Sequence, residues 1–240
     1  MKRIVIIGAS SGMGLEVARL FLAQGCRLGV AARREDRLQA FKQEAPDRVV
    51  TATIDVTADD AATRVRSLID ELGGMDLFFY ASGIGKQNRN LTPDIELNTV
   101  NTNGMGFTRM IGEAYRYFAE QGSGHIAAIT SIAGTKGLGP APSYSATKAM
   151  QNVYLQALEQ QANARKLKIR FTDIRPGFVD TDLLAGDFQY PMMLDPKKVA
   201  RKIVSAINSK RHIAVIDWKY AIITALWRRL PRPLWRHFRL

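Results

Sequence analysis

The sequence predicts an α/β fold in which one doubly wound parallel sheet of about seven strands carries helices on both faces. Short apolar segments alternate with stretches of helical periodicity from about residue 3 to residue 216. No internal repeat or low-complexity linker divides the chain, and 240 residues with 46% hydrophobic side chains can bury one sizeable core. We therefore predict one domain over residues 1–216, followed by a basic amphipathic tail over residues 217–240.

Each predicted strand is a short run of mostly apolar residues, and a helical segment follows each of the first six strands. The first helix should end at Gly25 and the third at Gly73, because glycine favours helix C-termini. The predicted strands are Ile4–Ile7, Arg27–Ala32, Val49–Ile54, Asp76–Tyr80, His125–Thr130, Lys168–Ile174 and His212–Ile216. The predicted helices cover residues 14–24, 35–44, 58–72, 97–120, 143–165 and 197–208.

The N-terminus and the single cysteine indicate the cellular compartment. Met1-Lys2-Arg3 and the apolar run after it resemble the start of a signal peptide. The run stops after four residues at Gly8, which is too short for such a peptide, so we interpret it as a buried strand. Cys26 cannot form an internal disulfide, so we expect a reducing compartment and a cytoplasmic location.

A glycine-rich turn joins the first strand to the first helix, with the sequence Gly8-Ala9-Ser10-Ser11-Gly12-Met13-Gly14. Glycines at such a junction permit a tight turn, let the backbone approach a pyrophosphate and aim helix N–H groups at the anion. A purely structural turn is the alternative. The position directly after a buried strand favours a dinucleotide site.

Two arginines follow the second strand, at the place where an acidic residue would bind the ribose hydroxyls of NAD(H). Arg33 and Arg34 instead suit a 2′-phosphate, which favours NADP(H) over NAD(H). The alternative is that they only begin a solvated helix. After the third strand, Asp55 could accept a hydrogen bond from the adenine amine, or Asp55 or Thr57 could cap the next helix.

A tyrosine and a lysine lie one helical turn apart in Tyr144-Ser145-Ala146-Thr147-Lys148. A nearby ammonium lowers the pKa of a phenol, because positive charge favours the phenolate. Such a pair could transfer a proton near neutral pH. The same spacing also arises by chance on solvated helices, so the pair needs further catalytic groups to carry weight.

Together these motifs resemble the short-chain dehydrogenase/reductase family, from about residue 3 to residue 216. The spacing Gly8-x-x-x-Gly12-x-Gly14 matches the cofactor turn of that family, and Asp55-Val56 matches its adenine-side aspartate. Tyr80-Ala81-Ser82-Gly83 stands where the family usually has Asn-Asn-Ala-Gly, and the segment 175–181 matches its Pro-Gly segment. The resemblance implies a Rossmann-like domain whose cofactor residues are Gly8, Ser10, Ser11, Gly12, Met13, Gly14, Arg33, Arg34, Asp55, Val56, Ala81, Ser82, Gly83, Tyr144, Lys148, Pro176, Gly177, Val179 and Thr181.

The resemblance also implies a catalytic set of Asn101, Ser131, Tyr144 and Lys148. Ser131 precedes Tyr144 by 13 residues, as the catalytic serine of the family does. The segment 100–104 matches the helix that carries the family's active-site asparagine, which we assign to Asn101, with Asn103 as the competing choice. No metal is expected, because the three histidines are scattered and lack ligand spacing.

In the implied mechanism the nicotinamide delivers a hydride to a carbonyl carbon while Tyr144 gives its proton to the oxygen. Ser131 would polarise the carbonyl group, and Lys148 would bind the nicotinamide ribose and lower the pKa of Tyr144. Asn101 would order a water molecule that leads from Lys148 towards solvent. Thr181 would contact the nicotinamide carboxamide.

The segment 182–194 should cover the cofactor. Its side chains suit an apolar or aromatic carbonyl compound, although they could equally seal the core or a subunit contact. They are Leu183, Leu184, Phe188, Tyr190, Met192, Met193 and Leu194, with Gly186 as a candidate hinge. Residues 84–94, rich in amides and basic groups, are expected to form the opposite rim.

Positive charge is concentrated at the C-terminus. Of a net charge of +12, residues 210–240 carry +7, with eight basic residues against Asp217 alone. The tail holds all three tryptophans, and Pro231 and Pro233 predict two short amphipathic turns instead of one helix. Aromatic residues among arginines suit an anionic membrane surface. The alternatives are packing on a neighbouring subunit or across the substrate cleft, and nucleic acid is not expected as a partner.

The sequence therefore predicts an NADP(H)-dependent oxidoreductase that interconverts a carbonyl and a secondary alcohol on a small apolar substrate. One alternative is a 3-oxoacyl-thioester reductase, whose acidic carrier protein would suit the positive charge. Another is an NADP(H)-binding scaffold or sensor at a membrane surface. By resemblance we expect a homodimer or homotetramer formed through the long helices near 97–120 and 143–165, in the cytoplasm or peripheral at the inner face of a membrane.

Overall fold

The computed structural model describes residues 1–184, with only the backbone of Leu184, and residues 190–238. Seven strands form one sheet in the order β3-β2-β1-β4-β5-β6-β7, and every neighbouring pair is parallel. The doubly wound α/β fold predicted from the sequence is confirmed. The strands are β1 Arg3–Ile7, β2 Arg27–Ala32, β3 Val49–Thr53, β4 Leu77–Tyr80, β5 Ser123–Ile129, β6 Lys168–Pro176 and β7 Ile213–Ile216.

Helices cover both faces of this sheet. Apolar residues of α1 and α7 pack on one face, and those of α3, α5 and α6 pack on the other. The described helices are α1 Gly12–Ala23, α2 Glu35–Lys42, α3 Ala61–Leu72, α4 Pro93–Val100, α5 Phe107–Gln121, α6 Pro142–Ala164, α7 Pro196–Asn208, α8 Trp218–Trp227 and α9 Arg232–Trp235. The predicted bounds differ from these by a few residues, except in the segment 97–120.

The two helical layers explain why the central strands are apolar without alternation. In β1, Ile4 and Ile6 belong to one buried cluster, while Val5 and Ile7 belong to the other. Successive side chains of a strand point to opposite faces, so a strand covered on both faces needs an apolar residue at every position. β4 follows the same rule, and all four of its residues are buried.

The predicted helix over 97–120 is three elements. α4 ends at Val100, residues Asn101–Gly106 form a π-helical segment, and α5 begins at Phe107. A π-helical turn has a hydrogen bond from residue i to i+5, so it is wider than an α-helical turn and rotates the residues that follow it. A Cβ on Gly106 would lie 2.7 Å from Cγ2 of Val56, so the end of this segment packs closely on the loop after β3.

β1 and β4 lie side by side at the centre of the sheet, and the chain winds outward from them in both directions. The crevice beyond the carboxyl ends of the strands at such a reversal is the usual ligand site of open α/β sheets. Within residues 1–184 and 190–238, no helix has the length and apolar composition that crossing a bilayer requires.

The packing of β5 against α5 gives a first testable prediction. A Cβ on Gly124 would overlap the ring of Phe118, which is fully buried. Gly124→Ala should therefore lower the free energy of unfolding by about 1–3 kcal/mol, measured by urea denaturation. Gly139→Ala is the control, because nothing lies within 4 Å of its Cβ position. Equal unfolding midpoints for the two variants would contradict close packing of Gly124 against Phe118.

Candidate active site

A cleft of about 510 Å³ lies at the carboxyl ends of the central strands. It is lined by residues that follow β1, β2, β3 and β4, as expected for the reversal point of the sheet. The predicted cofactor residues that line it are Gly8, Ser10, Ser11, Gly12, Met13, Gly14, Arg33, Arg34, Asp55, Val56, Ala81, Ser82, Gly83 and Thr181.

The glycine-rich turn has a backbone that side chains would prevent. Gly8 has a φ of +90°, and a Cβ there would lie 2.6 Å from the backbone nitrogen of Ser82. A Cβ on Gly14 would overlap the carbonyl oxygen of Gly8. The turn, the start of α1 and the loop after β4 therefore contact one another through their backbones.

The N-terminus of α1 opens on this cleft. Its N-cap residue, Ser11, makes no side-chain capping hydrogen bond, and no acidic residue lies in the first turn. The first N–H groups of a helix have no intrahelical partners and carry partial positive charge. An anion in the cleft would therefore be bound by backbone N–H groups of α1.

The two arginines after β2 both line the cleft, but they differ in their contacts. The guanidinium of Arg34 donates to the Oγ atoms of Ser10 and Ser11, at 3.0 and 2.5 Å, and so holds the glycine-rich turn. Arg33 is exposed, and its charge contributes to lowering the pKa of Asp55. Arg34 therefore contacts the glycine-rich turn, while Arg33 is the arginine whose charge is felt by Asp55.

Asp55 makes a local turn and does not cap a helix. Its Oδ1 accepts hydrogen bonds from the backbone N–H and from the hydroxyl of Thr57, at 2.9 and 2.7 Å. The backbone hydrogen bond is the main cause of its lowered pKa. α3 begins later, at Ala61, so the capping alternative for Asp55 and Thr57 is wrong.

Tyr144 and Lys148 do not line the cleft, and three more of the predicted cofactor residues, Pro176, Gly177 and Val179, also lie outside its lining. Pro176 ends β6, beside Ile216 of β7. Val179 is buried in the core and forms a bridge with Leu194. Gly177 faces α8, because a Cβ there would overlap the ring of Tyr220. The small size of Gly177 is thus required by packing of the tail.

Of the predicted catalytic set, the fold brings Ser131, Tyr144 and Lys148 together. Ser131 follows β5 and caps a short 3₁₀ turn, where its Oγ accepts from the N–H of Ala133 at 3.0 Å. Ser131 lies close enough to Tyr144 to lower the pKa of its phenol. The Nζ of Lys148 lies 5.8 Å from the centroid of the Tyr144 ring, one turn along α6.

Lys148 is a buried cation with defined acceptors. Its Nζ donates to the carbonyl oxygen of Ile129 at 3.1 Å and to Oε1 of Gln151 at 3.0 Å. Burial lowers its pKa from 10.5 to about 8, and the charge of Asp173 acts in the opposite direction.

The pKa of Tyr144 shifts in the direction opposite to the one predicted from the sequence. Burial raises this pKa, and the nearby Ser131 hydroxyl opposes the rise. Desolvation disfavours the charged phenolate, and this effect outweighs the positive charge that the spacing of Tyr144 and Lys148 predicts.

The asparagine beside Lys148 is Asn103 and not Asn101. Asn101 is only partly buried, and no hydrogen bond in the described part of the chain joins its side chain to the other predicted catalytic residues. Asn103 is fully buried, and its amide exchanges hydrogen bonds with the backbone of Ile84, at 2.9 and 2.7 Å. The backbone carbonyl oxygen of Asn103 accepts a hydrogen bond from Nε2 of Gln151 at 2.8 Å.

Two features around the predicted catalytic groups were not predicted from the sequence. Gln151 joins Lys148 to Asn103, and its i+3 spacing from Lys148 on a helix could have indicated this contact. Gly85 lies against Tyr144, where a Cβ would be 2.8 Å from the ring. A Cβ on Gly83 would be 3.3 Å from Asn103 Oδ1 and 3.6 Å from Lys148 Nζ. The loop 83–85 therefore passes directly over the predicted catalytic groups.

The structure describes part of the segment 182–194, which is predicted to cover the substrate. Tyr190 packs on Phe178 with a centroid distance of 4.8 Å, and its hydroxyl accepts from Gln87 Nε2 at 3.4 Å. Tyr190 also contributes to raising the pKa of Tyr144. Leu183 lines the cleft. Phe188, Gly186 and the side chain of Leu184, which belong to the predicted cover, fall outside the described residues.

This arrangement can bind a dinucleotide and present two hydroxyl groups to a polar atom of a second ligand. Comparison with known proteins agrees with it. The family model described as "short chain dehydrogenase" matches residues 2–190. An uncharacterized oxidoreductase of Mycobacterium tuberculosis is 33% identical over 247 residues, covering 99% of this chain and 97% of that protein. An uncharacterized oxidoreductase of Myxococcus xanthus is 30% identical over 237 residues, covering 96% of this chain and 93% of that protein.

Solved structures of the same fold carry either nicotinamide cofactor. A short-chain dehydrogenase from Sphingobium yanoikuyae in complex with NADPH has a TM-score of 0.83 at 20% identity, covering 100% of this chain and 97% of that one. A 3-ketoacyl-(acyl-carrier-protein) reductase from Brucella melitensis complexed with NADH has a TM-score of 0.79 at 21% identity, covering 89% and 95% of the two chains.

The buried charge of Lys148 gives a second prediction. Because its pKa falls from 10.5 to about 8 on folding, the folded state is penalised at pH 7 by about 3 kcal/mol. The unfolded state binds more protons between pH 8 and 10.5, so the penalty disappears as pH rises through this window. The free energy of unfolding of Lys148→Met, taken relative to that of wild type, should therefore be higher at pH 7 than near pH 10.5 by up to about 3 kcal/mol.

Urea denaturation of both proteins at the two pH values measures this difference. Loss of the hydrogen bonds to Ile129 and Gln151 also affects Lys148→Met, but that loss does not titrate, so the change with pH isolates the charge. Lys166→Met, at an exposed position, is the control and should show no such change. A constant difference between Lys148→Met and wild type would contradict the buried-cation account.

Proposed function

The chain belongs to the short-chain dehydrogenase family, and from this premise we propose that it is an NADP(H)-dependent oxidoreductase that interconverts a carbonyl and a secondary alcohol. The observation that carries the proposal is the meeting of Ser131, Tyr144 and Lys148 beside a cleft shaped for a dinucleotide. The aromatic pair Phe178–Tyr190 near Tyr144 supports an apolar substrate.

The residues of the cleft fit the cofactor. The glycine-rich turn leaves space where side chains would stand, and the N-terminus of α1 offers N–H groups without a competing carboxylate. Arg33 and Arg34 line the end of the cleft that follows β2, where the adenosine ribose binds in such folds. Two guanidinium groups suit a 2′-phosphate, which supports NADP(H) over NAD(H).

When bound, the nicotinamide supplies or accepts the hydride. Tyr144 would transfer the proton to or from the substrate oxygen. Ser131 would donate to the same oxygen, and its geometry suits this role. Because Ser131 Oγ already accepts from the N–H of Ala133, its hydroxyl hydrogen remains for donation.

Lys148 would hold the cofactor ribose. A lysine has three N–H donors, and two of those on Lys148 go to Ile129 and Gln151. We assign the third to a ribose hydroxyl. We assign to Asn103 the role predicted for Asn101, because its side chain fixes the loop at Ile84 and its backbone carbonyl oxygen accepts from Gln151.

A second candidate substrate is a 3-oxoacyl thioester. The Brucella melitensis reductase acts on an acyl-carrier-protein substrate according to its name, and the net charge of +12 would favour an acidic carrier protein. An NADP(H)-binding scaffold or sensor is the alternative from another class. It would bind cofactor through the same cleft without turnover.

Tyr144→Phe tests the mechanism. The variant loses only the phenolic hydroxyl group, which leaves the cleft intact. NADPH should therefore still bind, while kcat falls by about 10²–10⁴-fold on any carbonyl substrate found. The measurement is NADPH consumption over a panel of apolar ketones, aldehydes and 3-oxoacyl thioesters, with cofactor binding followed by fluorescence. Tyr154→Phe, ten residues along α6, is the control and should keep wild-type turnover. Turnover that survives Tyr144→Phe would refute the mechanism, and binding without any wild-type turnover would favour the scaffold.

Arg33→Gln tests cofactor choice. Loss of one charged contact with a 2′-phosphate should raise KM for NADPH by about 10–100-fold and leave KM for NADH unchanged. Arg34→Gln should weaken both cofactors, because Arg34 also holds Ser10 and Ser11 of the glycine-rich turn. Arg37→Gln, exposed on α2, is the charge-matched control. A wild-type preference for NADH would overturn the assignment.

A further inference from the structure

Helix α8 has its large apolar side chains on the outside. Trp218, Ile222 and Leu226 are 66%, 52% and 63% exposed. Their i, i+4, i+8 spacing places them on one face of the helix. The opposite face holds Tyr220 and Thr224, which are buried although both carry hydroxyl groups. A surface helix of a globular protein normally has the reverse arrangement.

The inner face of α8 is fixed to the domain by specific contacts. The Tyr220 hydroxyl donates to the carbonyl oxygens of Pro191 and Met192, at 3.2 and 3.1 Å. The Thr224 hydroxyl donates to the carbonyl oxygen of Tyr220 at 2.8 Å, so its polar group is satisfied within the helix. The apolar outer face is therefore held in place by these contacts.

The segment after α8 is fixed in the same way. Nε1 of Trp227 donates to Thr135 Oγ1 at 2.7 Å, and Nε1 of Trp235 donates to the carbonyl oxygen of Gly137 at 2.8 Å. Nζ of Lys136 donates to the carbonyl oxygen of Leu230 at 2.8 Å. Leu234 and Phe238 remain 58% exposed. They are the exposed large apolar side chains of the described segment that follows α8.

Cations without carboxylate partners surround this surface. Arg228, Arg229, Arg232 and Arg236 are all exposed, and within the described residues no acidic side chain pairs with any of them. The acid at the start of α8, Asp217, is already bound to Lys202 at 3.0 Å. We call the apolar side chains Trp218, Ile222, Leu226, Leu234 and Phe238 with these four arginines the tail surface.

The charge and the apolar side chains of the tail surface favour one class of partner over the others. A second copy of the chain would pair the surface with itself across a two-fold axis, which would bring four arginines against four like charges. A nucleic acid would satisfy the arginines but would leave Ile222, Leu226 and Leu234 without apolar contacts. An anionic bilayer surface offers phosphate groups for the arginines and acyl chains for the apolar side chains at one boundary.

We propose that the tail surface docks the protein on anionic membranes, with α8 lying in the plane of the headgroups. Trp218 and Phe238 then lie at the level that aromatic rings prefer at a membrane interface. The arginines contact lipid phosphate groups, and the remainder of the domain stays in water. The chemical partner is an anionic phospholipid surface, and the docking does not depend on the catalytic activity.

Flotation of the full chain with vesicles tests the proposal. Wild type should bind phosphatidylcholine vesicles that contain phosphatidylglycerol at least about tenfold more tightly than phosphatidylcholine alone, and high salt should reduce the preference. The double variant Ile222→Glu and Leu226→Glu should lose about tenfold or more of this binding. Because both side chains are exposed, the thermal unfolding midpoint should stay that of wild type.

Two controls separate a local surface from net charge. The variant with Arg228, Arg229, Arg232 and Arg236 changed to Gln should lose its preference for phosphatidylglycerol. Changing Lys166, Lys168, Lys197 and Lys198 to Gln removes the same charge from exposed sites elsewhere and should keep the preference. Leu91→Glu, at a residue 59% exposed outside the tail, should also bind as wild type does.

Three results would overturn the proposal. One is unchanged vesicle binding by the double glutamate variant. Another is equal loss of binding in the two charge-matched variants. The third is absence of vesicle binding together with an oligomer, seen by light scattering, that the double glutamate variant dissociates, which would assign the tail surface to a second copy of the chain.

Discussion

A buried ammonium determines the local structure on which the proposed active site depends. Lys148 is only 4% exposed, and a charge in that position needs acceptors on several sides. The end of β5 supplies the carbonyl oxygen of Ile129, and α6 itself supplies Gln151. Gln151 in turn holds the carbonyl oxygen of Asn103, whose amide clamps the backbone of Ile84. One cation thus connects a strand end, a helix, the π-helical segment and the loop above Tyr144.

The sequence patterns predict most of the fold because the sheet is covered on both faces. A strand buried on both sides must be apolar throughout, so its run of side chains is visible without any structure, and β2 has the predicted bounds. The positions of Ser131 and Tyr144 in the fold also follow from the patterns, since Ser131 comes just after β5 and Tyr144 lies in the first turn of α6. In the π-helical segment Asn101–Gly106 the buried asparagine is Asn103, because a wider turn changes which side chain faces inward. Apolar periodicity does not show a single wide turn.

Two other differences arise from tertiary contacts that spacing alone does not contain. The direction of the Tyr144 pKa follows from burial, and burial depends on the loop 83–85, which comes from a distant part of the sequence. Gly177 matches a cofactor motif, yet the ring that requires it to be glycine is Tyr220 of α8, beyond the family match at residue 190. The motifs thus identify Tyr144 and Gly177 but not the distant residues that contact them, the loop 83–85 and Tyr220.

The position of Tyr220 also decides how the tail can be studied. The centroid of its ring lies 6.2 Å from that of Phe178, Phe178 packs on Tyr190, and Tyr190 contributes to raising the pKa of Tyr144. Deleting the tail would remove Tyr220, expose Gly177 and release Pro191 and Met192, so changes in activity and in membrane binding would occur together. Ile222 and Leu226 point away from these contacts, on the opposite face of α8. Only substitutions on that outer face separate the surface from the site that its inner face supports.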